Sequence, residues 1–111
     1  MKVILSIKPE YAERILSGEK KFEFRKSIFK NKNVDTVIIY ATMPVGKVIG
    51  EFKVGDILVN SPSELWSLTK NYAGISHKFF TDYFHRRDRA FAISVKSPRR
   101  YSSPLDLEDI S

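Results

Sequence analysis

Cysteine is absent from this 111-residue chain. Its absence removes disulfides, thiolate nucleophiles and the common cysteine-bearing zinc sites, and it fits a reducing compartment. Histidine is scarce: His77 and His85 are the two present, with no clustered carboxylates beside them, so no metal site is expected. The same scarcity gives little support to a Ser-His-Asp triad. The glycine patterns that cradle phosphates and dinucleotides are missing, as are the nucleophile elbow and the zinc-protease helix motif, so no cofactor is expected. No apolar run approaches the ~20 residues needed to span a bilayer. The opening MKVILSIKPEYAERI turns polar at Lys8, Pro9 and Glu10, too early for a signal peptide. Together these absences predict a soluble, cytoplasmic protein with no membrane partner.

What is present describes one folded unit. An apolar share of 42% and a charged share of 29% are ordinary for a globular protein, and the length predicts a single domain over residues 1–111. Eight Phe, five Tyr and one Trp promise an aromatic core. Nineteen basic residues face thirteen acidic ones, and three of the acidic ones fall in the last six positions, so the remaining body carries nine net positive charges. Such a body attracts polyanions, of which nucleic acid is the commonest inside cells.

Periodicity orders the elements. Val3, Leu5 and Ile7 alternate with Ile4, Ser6 and Lys8, which predicts an inner strand. Pro9 opens a helix whose apolar stripe is Tyr11, Ala12, Ile15 and Leu16, with Glu10 and Arg14 paired outside and Gly18 as a left-handed cap. TVIIYAT reads as a buried strand, and KVIGEFKVGDILVN as a long ribbon bent at Gly50 and Gly55. SPSE at 61–64 is a capping box, and Ser76 starts a further helix with Phe79, Phe80, Tyr83 and Phe84 on its apolar face. That aromatic face, like Trp66, reads as core. RAFAISV is a final strand, and the stretch from Ser97 onward reads as irregular apart from a short terminal turn. The order β-α-β-β-β-α-α-β disfavours a doubly wound parallel sheet and predicts an α+β fold, a small curled sheet with helices at its rims.

One stretch stands out, SGEKKFEFRK at 17–26. On a strand, Phe22 and Phe24 share one face while Lys21, Glu23 and Arg25 share the other. Spacing alone leaves two readings of Glu23 and Arg25 open, a solvated ion pair or a shared ligand site. Lys26, Lys30 and Lys32 continue the basic character into the following loop and are the first choice for phosphate contacts. Two arginine groups, Arg86, Arg87 and Arg89 on one side and Arg99 and Arg100 on the other, read as separate patches at opposite ends of the last strand.

With SIKPEYAERILSGEKKFEFRK, VIIYATMPVGKVIGEF, SPSELW, NYAGIS, FFTDYF and RAFAISV, the chain from Val3 to about Leu107 resembles the ASCH domain family of the PUA-like superfold. The resemblance implies a mixed β pseudobarrel of five to six strands with about three flanking helices. It also implies a cleft between the barrel and the helix after the first strand. The function it implies is binding of RNA, or of a modified nucleoside, by a regulator. The ligand-binding positions would be Ser6, Lys8, Lys20, Glu23, Arg25, Tyr40 and Thr42.

Some relatives are implied to be hydrolases, acting on an acylated nucleoside such as N4-acetylcytidine or on RNA. In the amidohydrolase branch the resemblance implies a lysine and, three residues later, a threonine nucleophile, with a glutamate from a later loop. Lys20 matches the lysine, but Glu23 stands in the threonine's place, which weakens the case for that reaction. If the protein is an enzyme, Lys20 and Glu23 are its expected catalytic residues, with Glu23 as a general base toward water.

Overall fold

A computed structural model describes residues 1–110. Its strands are β1 (Lys2–Ile7), β2 (Phe22–Arg25), β3 (Thr36–Ala41), β4 (Lys47–Asn60) and β5 (Ala90–Leu105), and its helices are α1 (Pro9–Leu16), α2 (Pro62–Thr69) and α3 (His77–Tyr83). Single 3₁₀ turns occupy Lys70–Tyr72 and Leu107–Ile110. The order of strands and helices is the one the periodicity predicts. Ser61 caps α2 by accepting a hydrogen bond from the Glu64 amide, and Ser76 caps α3 from the Phe79 amide at 3.0 Å. Arg14 does not stay beside Glu10; its Nη1 donates to the Gly74 carbonyl at 2.8 Å, and its Nε lies 3.8 Å from Glu19.

One five-stranded sheet has the order β1-β3-β4-β5-β2, parallel between β1 and β3 and antiparallel elsewhere. β1 is therefore a terminal strand rather than an inner one. Ile4 is 43% exposed, because alternation reports one buried face and says nothing about how many neighbours a strand has. The free edges of β1 and β2 face each other, and Arg25 bridges them by donating from Nη1 to the Ser6 carbonyl at 3.3 Å. The result is a curled, partly open barrel.

Curling depends on the long strands. The β4–β5 ladder shifts register between Val48 and Gly50, Glu51 and Lys53, and Val54 and Ile57. A side chain at Gly50 would start 2.6 Å from the Arg99 carbonyl, so only glycine lets the two backbones meet there. β5 also runs on through Leu105, where the sequence reads as irregular. Arg99, Arg100 and Leu105 pair with Glu51, Gly50 and Val48, and the register shifts accommodate Pro98 and Pro104.

Two cores follow from the pleat of β2 and β5. Ile93 packs inside the curl with Ile7, Ala12, Ile15, Val37, Ile39 and Phe52, while Phe24 and Ala92 face outward to Leu65, Ala73, Phe80 and Phe84. Phe22 packs against the outer cluster, so both phenylalanines of β2 anchor it to the helices. Among the described residues, no helix is long and apolar enough to cross a membrane.

Candidate functional site

Lys20 enters the fold from the turn after Gly18, whose φ of +87° suits glycine. Its side chain is among the most buried in the protein. Nζ donates to the Ala73 carbonyl at 2.6 Å and lies 4.6 Å from the Phe24 ring centre and 5.7 Å from that of Tyr11. The loop that supplies this carbonyl passes directly against the lysine. A Cβ on Gly74 would sit 2.4 Å from the Lys20 Cβ, and Gly74 has a φ of +67°.

Glu23 and Arg25 project from β2 on one face. Glu23 is only 6% exposed, which excludes the solvated surface pair, and its Oε2 accepts from Arg25 Nη1 at 3.3 Å. Both border a cavity of about 210 Å³ between the end of β1, α1, β2 and α3. Ser6, Lys8, Lys20, Glu23 and Arg25 lie on its wall, as do Tyr11, Ile75, Phe79 and Tyr83. Lys8 Nζ sits 4.9 Å over the Phe79 ring.

The other anticipated positions fall elsewhere. Tyr40 pairs with Ser6 one strand behind the wall, and the Thr42 amide donates to the Ile7 carbonyl at 3.0 Å; neither lines the cavity. Lys26 is exposed beside the cavity wall, with Nζ 4.7 Å over the ring of Tyr83, which lines it. Lys30 and Lys32 are exposed on the connection to β3.

The α3 wall is the part that sequence reasoning missed. Its aromatic face divides in two, Phe80 and Phe84 entering the outer core while Phe79 and Tyr83 line the cavity, stacked at 6.3 Å and 11°. Tyr11 meets Phe79 edge-on at 5.2 Å. The spacing of four residues within each pair was the available signal.

Burial moves the titrations of the two charged floor groups toward each other. It lowers the Lys20 ammonium to about 8, with Glu23 opposing that shift and Arg14 adding to it. It raises the Glu23 carboxyl, against the pull of Lys20 and Arg25. Among the described residues no salt bridge joins Lys20 to Glu23; Lys20 donates to Ala73 and Glu23 accepts from Arg25, while each still acts on the titration of the other. Among the described residues no group of three or more His, Asp or Glu is placed to hold a metal.

A curled mixed sheet whose open seam is walled by helices defines an α+β pseudobarrel with a ligand-sized cavity. This chain belongs to the ASCH domain family, whose model matches residues 5–99. An ASCH domain-containing ribonuclease of Zymomonas mobilis is 32% identical over 107 residues, covering 96% of this chain and 72% of that protein. The crystal structure of ASCH from Zymomonas mobilis superposes with a TM-score of 0.89 at 32% identity, over 96% of this chain and 74% of that one. The large ribosomal subunit protein uL22 of Ureaplasma parvum is 31% identical over 108 residues, of which this chain spans about a third, 34%.

Proposed function

We propose that this domain binds single-stranded RNA and seats one unpaired base, plain or modified, in the cavity, as a reader or processing factor in the cytoplasm. The observation that carries the reading is the burial of Lys20 and Glu23 on one aromatic-walled cavity. Keeping an ion out of water costs several kcal/mol, and groups so perturbed gather at functional sites. Phe79 and Tyr83 offer a stacking surface, Glu23 accepts N–H groups from a base edge, and Arg25 and Lys20 donate to its acceptors. Lys8 and Lys26 at the rim would meet phosphates. The cavity is smaller than the roughly 300–1,000 Å³ of drug-sized sites, which suits a single base. Family membership and a relative named as a ribonuclease support RNA as the partner, and a single domain over residues 1–111 belongs to the same reading.

A hydrolytic reading is favoured by one feature, the lowered Lys20 ammonium. With a pKa of about 8, roughly a tenth of the molecules hold it as a neutral amine at pH 7. That amine would take the proton of a ribose 2′-hydroxyl, whose oxygen attacks phosphorus. The 5′-oxygen then leaves with a proton from the acid form of Glu23, giving a 2′,3′-cyclic phosphate, while Arg25 holds the phosphoryl oxygens. This route needs no hydroxyl nucleophile from the protein, so it tolerates Glu23 where amide hydrolysis would want threonine.

Labelled single-stranded and duplex RNA tests both readings. Binding that prefers the single strand is expected, and no binding at low salt would contradict the proposal. Cyclic phosphate ends that vanish in Lys20→Ala would establish the nuclease; bound RNA that stays intact would leave a reader.

A further inference from the structure

We propose that the backbone of a bound strand leaves the cavity across the turn between α3 and β5, held by Arg87 and Arg89 together with Lys26. This path rests on the cavity reading above. Tyr83 links cavity and turn: it lines the cavity, Lys26 Nζ covers its ring at 4.7 Å, and Arg87 is near enough to act on the charge of its hydroxyl. Phe91 carries the path onward. It stands opposite Arg25 in the β2–β5 ladder, and the Arg89 guanidinium lies 5.6 Å over its ring. Lys26 and Arg87 thus flank Tyr83, and Arg89 continues the exposed positive charge to Phe91.

The two arginine groups differ in how occupied they are. Arg99 lies 3.2 Å from Glu51, and Arg100 pairs with Glu13. Among the described residues no salt bridge engages Arg86, Arg87 or Arg89, and Asp88 is the single acid within that run. The turn is also built at a cost. Arg86 has a φ of +61°, a left-handed conformation that disfavours a side chain and that glycine usually fills after a helix. The Arg87 amide donates to the Phe84 carbonyl at 3.0 Å, which holds the turn in place.

Three probes separate the path from the cavity: a free nucleoside, an abasic oligonucleotide and a single-stranded RNA of the same length. In Arg87→Ala/Arg89→Ala we expect abasic-strand affinity to fall about tenfold. The slope of log K against log salt for the RNA should drop by about 1.4, with nucleoside binding unchanged. Lys30→Ala/Lys32→Ala should leave the slope as it was. An unchanged slope in the arginine variant, or an abasic strand that fails to bind the parent protein, overturns the path. Abasic binding that depends on the arginines, without any nucleoside binding, would uphold the path and reject the cavity reading.

Discussion

Lys20 and Glu23 share water-poor surroundings, with opposite consequences for pH. The Lys20 ammonium titrates near 8 in the fold against 10.5 for the free side chain. Between those values the unfolded chain holds more protons than the native one, so the group's contribution to stability rises with pH across that window. Below about 8 its full penalty applies, roughly 3 kcal/mol. For Glu23 the native carboxyl is the one that keeps its proton longer, so its contribution is present below pH 4.5 and is lost as pH rises through the folded pKa. Thermal melts across pH check both signs. Lys20→Met should flatten the rise between about pH 8 and 10.5, and Glu23→Gln should gain on the parent protein as pH rises above the ordinary carboxyl value of 4.5. Curves that stay parallel to the parent would contradict both.

The division within α3 sets apart the residues that hold the fold and those that line the cavity. Phe80 is 2% exposed, in edge contact with Phe24 at 5.1 Å and with Phe84 at 4.8 Å, so Phe80→Ala should cost about 3–5 kcal/mol in urea denaturation. Phe79 is only half-buried, and Phe79→Ala should instead weaken RNA binding by about 1–3 kcal/mol with a much smaller loss of stability. The helix itself was legible from Ser76 and the aromatic spacing. Which stripe meets β5 and which meets open space was not, because periodicity marks an apolar face without saying what covers it. β5 shows the same limit: the stretch from Ser97 onward reads as irregular, yet pairing with β4 carries the strand past Pro98 and Pro104.

At the scale of the whole molecule, local pattern ordered the elements but long-range pairing closed the sheet. Glu51 of β4 shows how. It accepts from Tyr101 at 2.9 Å and lies 3.5 Å from Lys2 and 3.2 Å from Arg99, tying β1, β4 and β5 together at a point no short window contains. The cavity was legible to the extent that the two-residue repeat of β2 put Glu23 and Arg25 on one face, while Ser6 and Lys8 came only from the family resemblance. Tyr40 and Thr42 fell a strand behind, since the number of strands between two segments is not written in either. Placing β1 and β2 at the two free edges is what opens the seam, and α3 walls it. If the seam is a base site, the protein binds free nucleosides there, and isothermal titration with a panel of plain and modified nucleosides measures this. Saturable binding by the parent protein that is lost in Glu23→Gln, with the fold intact, is the predicted result; nucleosides that fail to bind, or bind the variant equally well, would contradict it.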